Sequence, residues 1–411
     1  MKALVLAGGF PQISLIQELK NNGINVILAD YFENPIAKPY ADMFYQISTL
    51  DIPAIYELAV SEKVDFIITA CTDQALLTVA YVSEKLNLPC YINYETAKKA
   101  TNKSLMKEVF YDNDIPTSSF IILNDLNMTY LNKLSYPLVV KPVDCNSSKG
   151  VTKVHNNQEL QSAFKNAIDL SRSKQVIVEE FVEGSEITVD VIIKNKKAII
   201  LSKAYTDKVS NNDNFIINRT RFPICEPSCI HSAIEDVAQK IADAYGLDNS
   251  LMLIQLISDG QRISVIEFSV RTGGCIKHKL IEQVSGVDVI KTVVDLTFNK
   301  SLDYTIQKPI SKYITNLFIY CTPGIFNELI GFKKLKENNI IYDYYLFKNP
   351  GAHIGAATNS GDRIAAITLH GNTLNELQEK YETVKNSIKV LDINHNDIMR
   401  HDLLTPLHYK E

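Results

Sequence analysis

A continuous apolar run at residues 3–7 and two mainly apolar runs at 24–29 and 64–70 are separated by turns and helical stretches. The first run leads through Gly8-Gly9 into a helical stretch at 12–21 that Gly23 stops, and the third leads through Thr72-Asp73 into a helix at 73–86. Continuous rather than alternating apolar runs mark buried strands. Buried strands that alternate with helices leave one economical packing, a parallel, doubly wound sheet with helices on its faces. In such a sheet ligands gather at the carboxyl ends of the strands. Here those ends are Gly8-Gly9, Asp30 and Thr72-Asp73. The first turn reads Ala-Gly-Gly-Phe-Pro-Gln and lacks the third glycine of a dinucleotide fingerprint, which argues against a nicotinamide cofactor. Two readings of it stay open: a tight strand-to-helix turn, and a site for a small ligand or anion at the helix start.

Composition removes several classes. The chain has 411 residues, 46% of them hydrophobic and 22% charged, which is enough for several domains and too apolar for disorder. Only 16 glycines and 14 prolines occur, so collagen-like and flexible low-complexity readings fall away. A net charge of −5 argues against a general nucleic-acid binder. No apolar run approaches the roughly 18 residues that a membrane span needs. The short 3–7 run does not serve as a signal peptide either. The expectation is a cytoplasmic protein with no membrane and no nucleic-acid partner. Seven cysteines without zinc spacing read as reduced thiols.

Beyond about residue 100 the pattern changes from α/β to α+β. A helical stretch at 95–113 is followed by strands at 118–123, 137–141, 152–154 and 176–181, with a helix at 158–170. Hairpin strands come next, 187–193 with 198–205, then 251–258 with 263–270 about an Asp259-Gly260 turn. Helices are expected at 230–245, stopped by Gly246, and at 288–298. Residues 300–312 read as a polar linker, and the last hundred residues mix strands (342–347, 363–369) with a helix at 374–388.

Four features carry chemistry. Thr101-Asn102-Lys103 opens a helix. A strand delivers Lys141 to a polar loop, Asp144-Cys-Asn-Ser-Ser-Lys-Gly150-Val151, whose small side chains let backbone N–H groups approach phosphate oxygens. Taken alone, that loop reads equally as a hairpin loop with a surface lysine. The strand at 176–181 ends in Glu179-Glu180-Phe181-Val182-Glu183-Gly184-Ser185-Glu186. Its two acids seven positions apart suit a purine amine and ribose hydroxyls, and a charged turn is the alternative. The last hairpin carries Gln255 on one strand and Glu267, Ser269 and Arg271 on the other, sharing one face by period two. A carboxylate between Val265-Ile266 and Phe268 needs a cation. That cation is either a magnesium ion on oxygen ligands or Arg271 itself in a structural Glu267–Arg271 pair.

The ordered set Thr-Asn-Lys, strand-Lys-Pro with Ser-Ser-Lys-Gly-Val, Val-Glu-Glu-Phe-Val-Glu-Gly-Ser-Glu and Ile-Glu-Phe-Ser-Val-Arg-Thr-Gly-Gly resembles the ATP-grasp superfamily, specifically its carboxylate–amine ligases. The resemblance covers nearly the whole chain. It implies a Rossmann-like pre-ATP-grasp domain at 1–100, an ATP-grasp domain of two α+β subdomains at 101–300 (lid about 115–183) and a small C-terminal α+β domain at 301–411. It implies ATP and Mg²⁺ (or Mn²⁺). Lys103 and Lys141 take the place of the phosphate lysines, and Ser147, Ser148, Gly150 and Val151 that of the loop closing over the phosphates. Glu179, Glu180, Phe181 and Val182 match the adenine hinge, and Glu186 the ribose acid. Glu267 matches the central metal carboxylate, and Arg271 the arginine facing the γ-phosphate and acyl phosphate. Gln255 and Ser269 stand where Glu and Asn are commoner. Gln255 resembles carbamoyl-phosphate-synthase-type members, and Ser269 has a shorter reach, so one firmly held ion is expected.

The implied reaction joins a small-molecule carboxylate to an amine through an acyl phosphate, releasing ADP and phosphate. The alternatives are a carbamoyl-phosphate-synthase-like kinase of a carboxylate or carbamate, favoured by Gln255, and a non-catalytic ATP-binding regulatory protein, favoured by Ser269. Candidate substrate residues are Arg219, Arg221, Gly273, Gly274, Lys277 and His278, with Gly351-Ala-His353-Ile-Gly355 as a weaker candidate or a structural hairpin. Homodimers are common among such enzymes, which makes a homodimer an open expectation.

Overall fold

The computed structural model describes residues 1–407 and 409, apart from 147 and 210–214 and the side chain of Met128. Ser147 therefore lies outside the described residues. The N-terminal strands form a four-stranded sheet in the order Met43–Gln46, Asn25–Asp30, Lys2–Leu6, Phe66–Ile68, all parallel. Sequence reading missed the Met43–Gln46 edge strand and the Ile52–Ser61 helix; the strand is short and half-exposed, so it lacks a continuous apolar run. Gly8 makes the first turn. Its N–H donates to Asp30 Oδ2 (2.6 Å), and a Cβ there would lie 2.5 Å from Pro35 Cβ. Asp30 and Pro35 fill the place that a ligand would need, which favours the tight-turn reading.

The helical stretch expected at 95–113 is two helices, Tyr94–Thr101 and Lys103–Asp112. Asn102 breaks it by capping the second: its side chain accepts from the N–H groups of Ser104 and Leu105. A second four-stranded sheet follows in the order Phe120–Leu123, Val176–Glu180, Leu138–Pro142, Thr152–Val154, covered on one face by the Asn157–Leu170 helix.

The third sheet has eight strands, in the order Ile263–Ser269, Ser250–Ser258, Ser185–Lys194, Lys197–Lys208, Ile217–Phe222, Tyr313–Ile319, Ala365–Gly371, Asp343–Leu346. It runs across residue 300, so a division there follows chain order and does not separate two sheets. The 300–312 segment carries no helix or strand, but it is pinned rather than free: the N–H groups of Gln307 and Ile310 donate to the carbonyls of Ser285 and Gln283. A three-stranded sheet of His353–Ile354, Gly324–Ile330 and Lys389–Asp392 completes the C-terminal block. Among the described residues no helix is long and apolar enough to cross a membrane.

Candidate active site

A cleft of about 800 Å³ opens between the second sheet, the start of the Lys103–Asp112 helix and the edge hairpin of the third sheet. Its walls include Lys103, Lys141, Ser148, Val151, Glu179 to Val182, Glu186, Gln255 and Glu267. Residues from four separate segments of the sequence are thus brought to one open cleft.

Each side chain has a local cause for its place. The Asn102 cap sets the first helical turn, so Lys103 points back over the loop after strand Leu138–Pro142. Its N–H donates to Val143 O (2.9 Å), and its Nζ donates to Cys145 O (2.8 Å) and pairs with Glu267 Oε2 (3.1 Å). Burial disfavours the Lys103 ammonium, but the Glu267 carboxylate outweighs that and raises it above the ordinary lysine value. One turn on, Lys107 lies on the same helix face and pairs with Glu179 Oε1 (2.9 Å). Lys141, near the end of its strand, pairs with Glu179 Oε2 (2.8 Å). Burial pushes the Glu179 carboxyl up, but the two ammonium groups outweigh it and bring it down to about 2.

The chain beyond Glu179 is fixed by backbone bonds. The N–H groups of Glu180 and Phe181 donate to Ser119 O (3.0 Å) and Pro137 O (2.9 Å), and the Glu180 side chain accepts from Ser135 N–H (2.9 Å). Lys153 Nζ stands 3.6 Å over the Phe181 ring. Gly184 has φ +147°, and a Cβ there would lie 2.3 Å from Ser258 O, so the turn needs glycine. Glu186 then faces the cleft, paired with Lys208 and accepting from Gln255 Nε2 (3.3 Å).

Gln255 and Glu267 are direct cross-strand partners, set opposite each other by a register shift between Gln255 and Leu256. Burial raises the Glu267 carboxyl, yet Lys103 and Lys141 together hold it below the usual range. With its Nε2 turned to Glu186, Gln255 has its amide oxygen left for a cation. One amide oxygen, one carboxylate and the oxygens of a bound phosphate chain make a donor set that suits magnesium, which keeps waters and needs few protein ligands. Ser269 is buried opposite Leu253 and does not line the cleft. Among the described residues no cluster of three His, Cys, Asp or Glu is gathered for a metal ion.

Arg271 does not form the structural pair with Glu267, and it is not among the residues that line the cleft. Its Nε donates to Asp73 Oδ1 (2.6 Å), its Nη2 to Asp73 Oδ2 and its Nη1 to Thr272 O (2.6 Å). Asn146 Nδ2 also donates to Asp73 Oδ2 (3.3 Å). Asp73 is the first residue of the Asp73–Leu86 helix, at the strand end where a doubly wound sheet binds ligands. Burial raises its carboxyl, but Arg271 outweighs this and holds it below the usual carboxylate range.

The substrate candidates fall elsewhere. Arg219 and Arg221 sit on strand Ile217–Phe222, not on a loop, because their charges are met within the sheet. Arg221 forks onto Asp207 (Nε 2.6 Å, Nη2 2.9 Å). Arg219 is 3.1 Å from Asp207 and donates to the carbonyls of Thr405 and Pro406, both at 3.0 Å. Lys277 is buried against Asp190 (3.5 Å), and Gly273 N–H donates to the same carboxylate (3.1 Å). A Cβ on Gly273 would meet Lys277 Cγ at 2.5 Å, so that glycine admits the protein's own side chain. Gly274 backs onto Cys71 O. His278 is buried beside Phe10 and lies 3.3 Å from Ser14 Oγ. Gly150 has φ +74° and packs on Pro142 and Leu170 outside the cleft wall. His353 lies on a two-residue strand paired with Ile325, a sheet contact between strands that helix Phe332–Glu337 and strand Asp343–Leu346 separate in sequence, and not a hairpin.

Sequence reading missed Lys107, Lys208 and Phe215, and it had Asp73 only as a strand-end position. Lys107 carried a legible signal, its four-residue spacing from Lys103. Lys208 and Phe215, which line the cleft, carried none, since neither belongs to a recognisable string.

Two families match the chain: residues 110–255 match the D-ala D-ala ligase C-terminus and residues 317–391 the L-amino acid ligase C-terminal domain 2. The carbamoyl-phosphate synthase of Methanobrevibacter smithii is 22% identical over 72% of this chain and 80% of its own length. Other curated relatives are matched over 24% to 67% of their length. Among solved structures, the L-amino acid ligase of Bacillus licheniformis superposes with TM-score 0.78 at 20% identity, covering 95% of this chain and 98% of that one. The biotin carboxylase domain dimer of Hydrogenobacter thermophilus 2-oxoglutarate carboxylase, solved with MgADP, ADP and bicarbonate, gives 0.78 at 16% identity, covering 98% and 92%. With the fold, the two matched segments and these relatives in agreement, the chain belongs to the ATP-grasp superfamily, among its carboxylate–amine ligases.

Proposed function

We propose that this chain uses ATP to activate a small carboxylic acid as its acyl phosphate and then transfers the acyl group to an amine, releasing ADP and phosphate. The observation that carries the reading is the gathering of Lys103, Lys141, Gln255 and Glu267 into one cleft, with Lys103 already paired to Glu267. Two cations beside oxygen donors suit a metal-bound triphosphate. The MgADP in the Hydrogenobacter neighbour fits the same reading.

A free carboxylate is a poor acylating agent, because its leaving group would be oxide. Phosphorylation supplies a leaving group, and such transfer needs positioning and charge neutralisation rather than a covalent nucleophile. In this reading Lys103 and Lys141 hold the phosphates. The Glu180–Val182 backbone, at the end of the strand that carries Glu179, reads the adenine, and Glu186 holds the ribose. Glu267 and Gln255 would hold magnesium, which when bound neutralises the β- and γ-phosphate oxygens. The loop of Ser148 to Val151 covers the phosphates and keeps water from the acyl phosphate. Arg271, held at the strand ends of the N-terminal sheet, steadies the charge on the transferring group. The acid and the amine then enter from that side.

An ADP-release screen of acid and amine pairs with magnesium tests the reading. ADP release that requires both partners supports it. ADP release with an acid alone, unchanged by any amine, would point instead to a carboxylate kinase, the reading that Gln255 favours.

A further inference from the structure

The charges around the cleft nearly cancel in pairs. Lys103 meets Glu267 and Lys208 meets Glu186, one cation to one anion. Glu179 is the exception, because it meets two lysines. Lys141 lines the cleft; Lys107 does not. The Lys107 side chain is 1% exposed, and besides Glu179 its Nζ reaches Thr117 Oγ1 and Ser118 Oγ. Burial pushes its ammonium below the ordinary lysine value; Glu179 opposes that and the nearby Lys141 adds to it.

A second buried lysine on one carboxylate is costly as architecture. A single lysine already neutralises Glu179, and an apolar side chain would fill the position without a desolvation penalty. The surplus positive charge has a use only if an anion arrives beside it. We infer that Lys107 is a positioning residue for nucleotide binding: by sharing Glu179, it leaves the Lys141 ammonium free to meet the phosphates.

Without Lys107, Glu179 and Lys141 form a closed, neutral pair, and a phosphate oxygen must compete with a buried carboxylate for Lys141. The effect grows with the number of phosphates and spares the base and ribose. This inference rests on the proposed nucleotide site, and its test separates the two.

The test measures binding of ATP, ADP, AMP and adenosine to the full chain by calorimetry, for wild type and for Lys107→Met, Lys107→Gln and Lys107→Arg. Lys107→Gln keeps hydrogen bonds to Thr117 and Ser118 and serves if Lys107→Met does not fold. The neutral variants are expected to weaken ATP roughly tenfold while changing adenosine by less than about twofold, with Lys107→Arg near wild type. In steady state the KM for ATP should rise while kcat changes little. A lysine needed only for packing would weaken all four ligands alike, and that result, or an equal loss in Lys107→Arg, would overturn the inference. A wild-type chain that bound no ATP would overturn the nucleotide site itself.

Discussion

Arg271 and Asp73 stand 198 residues apart in sequence and meet as a two-pronged ion pair that ties the end of the edge hairpin to the first turn of an N-terminal helix. In the proposed reaction, the arginine assigned to the transferring group is oriented by a carboxylate from another part of the chain. Both side chains are largely buried, at 13% and 12% exposed, so the pair is not a solvated surface contact.

Loosening that fork should cost rate more than nucleotide affinity. Asp73→Asn keeps the size and one acceptor but removes the charge that holds the guanidinium. We expect kcat for ADP release to fall about ten- to a hundredfold with ATP binding nearly unchanged, because misplacement of a positioned group acts on the transition state. Steady-state kinetics beside ATP calorimetry checks this, and an equal loss in both would contradict it.

His278 gives a pH signature in stability. Burial, with a smaller push from Lys279, depresses its imidazole from 6.5 to about 3. A depressed folded value means that the unfolded chain takes up the proton first. The contribution of His278 is thus complete above about pH 6.5 and is lost as the pH falls toward 3. Between pH 7 and pH 5 wild type should lose about 2 kcal/mol more unfolding free energy than His278→Gln. Urea unfolding at the two pH values reads the difference; parallel losses would contradict the assignment.

Arg219 should matter for folding and not for turnover. It holds the Thr405-Pro406 segment and Asp207 from inside the sheet. Arg219→Ala should cost about 2–4 kcal/mol of stability by leaving buried partners unpaired, with KM values unchanged for the molecules that fold. A raised KM for the acid at unchanged stability would restore it as a substrate residue.

What the sequence showed well was local. The hairpin of Ser250–Ser258 and Ile263–Ser269 is legible because Asp-Gly separates two apolar strands, but a register shift between Gln255 and Leu256, which counting outward does not show, sets Gln255 opposite Glu267. The helix start at Thr101-Asn102-Lys103 is equally local and legible, although helical residues on both sides of the cap also make 95–113 read as one stretch. Long-range pairings were not legible. Strand Ile217–Phe222 is not read as a strand from the sequence, because its arginines are met only by Asp207 and the chain near Thr405. Asp73 had its place at a strand end but no visible partner, and the Glu267–Arg271 pair that spacing allowed gave way to Lys103 and Asp73, which come from other elements.

Glu267→Gln tests the central claim most directly. The substitution keeps shape and removes one negative charge from the donor set facing the phosphates. With an acid and amine pair that turns over, magnesium-dependent ADP release should fall at least about a hundredfold while the folded stability stays near wild type. ADP release at the wild-type rate and the wild-type magnesium requirement would contradict the placement of metal-assisted phosphoryl transfer in this cleft.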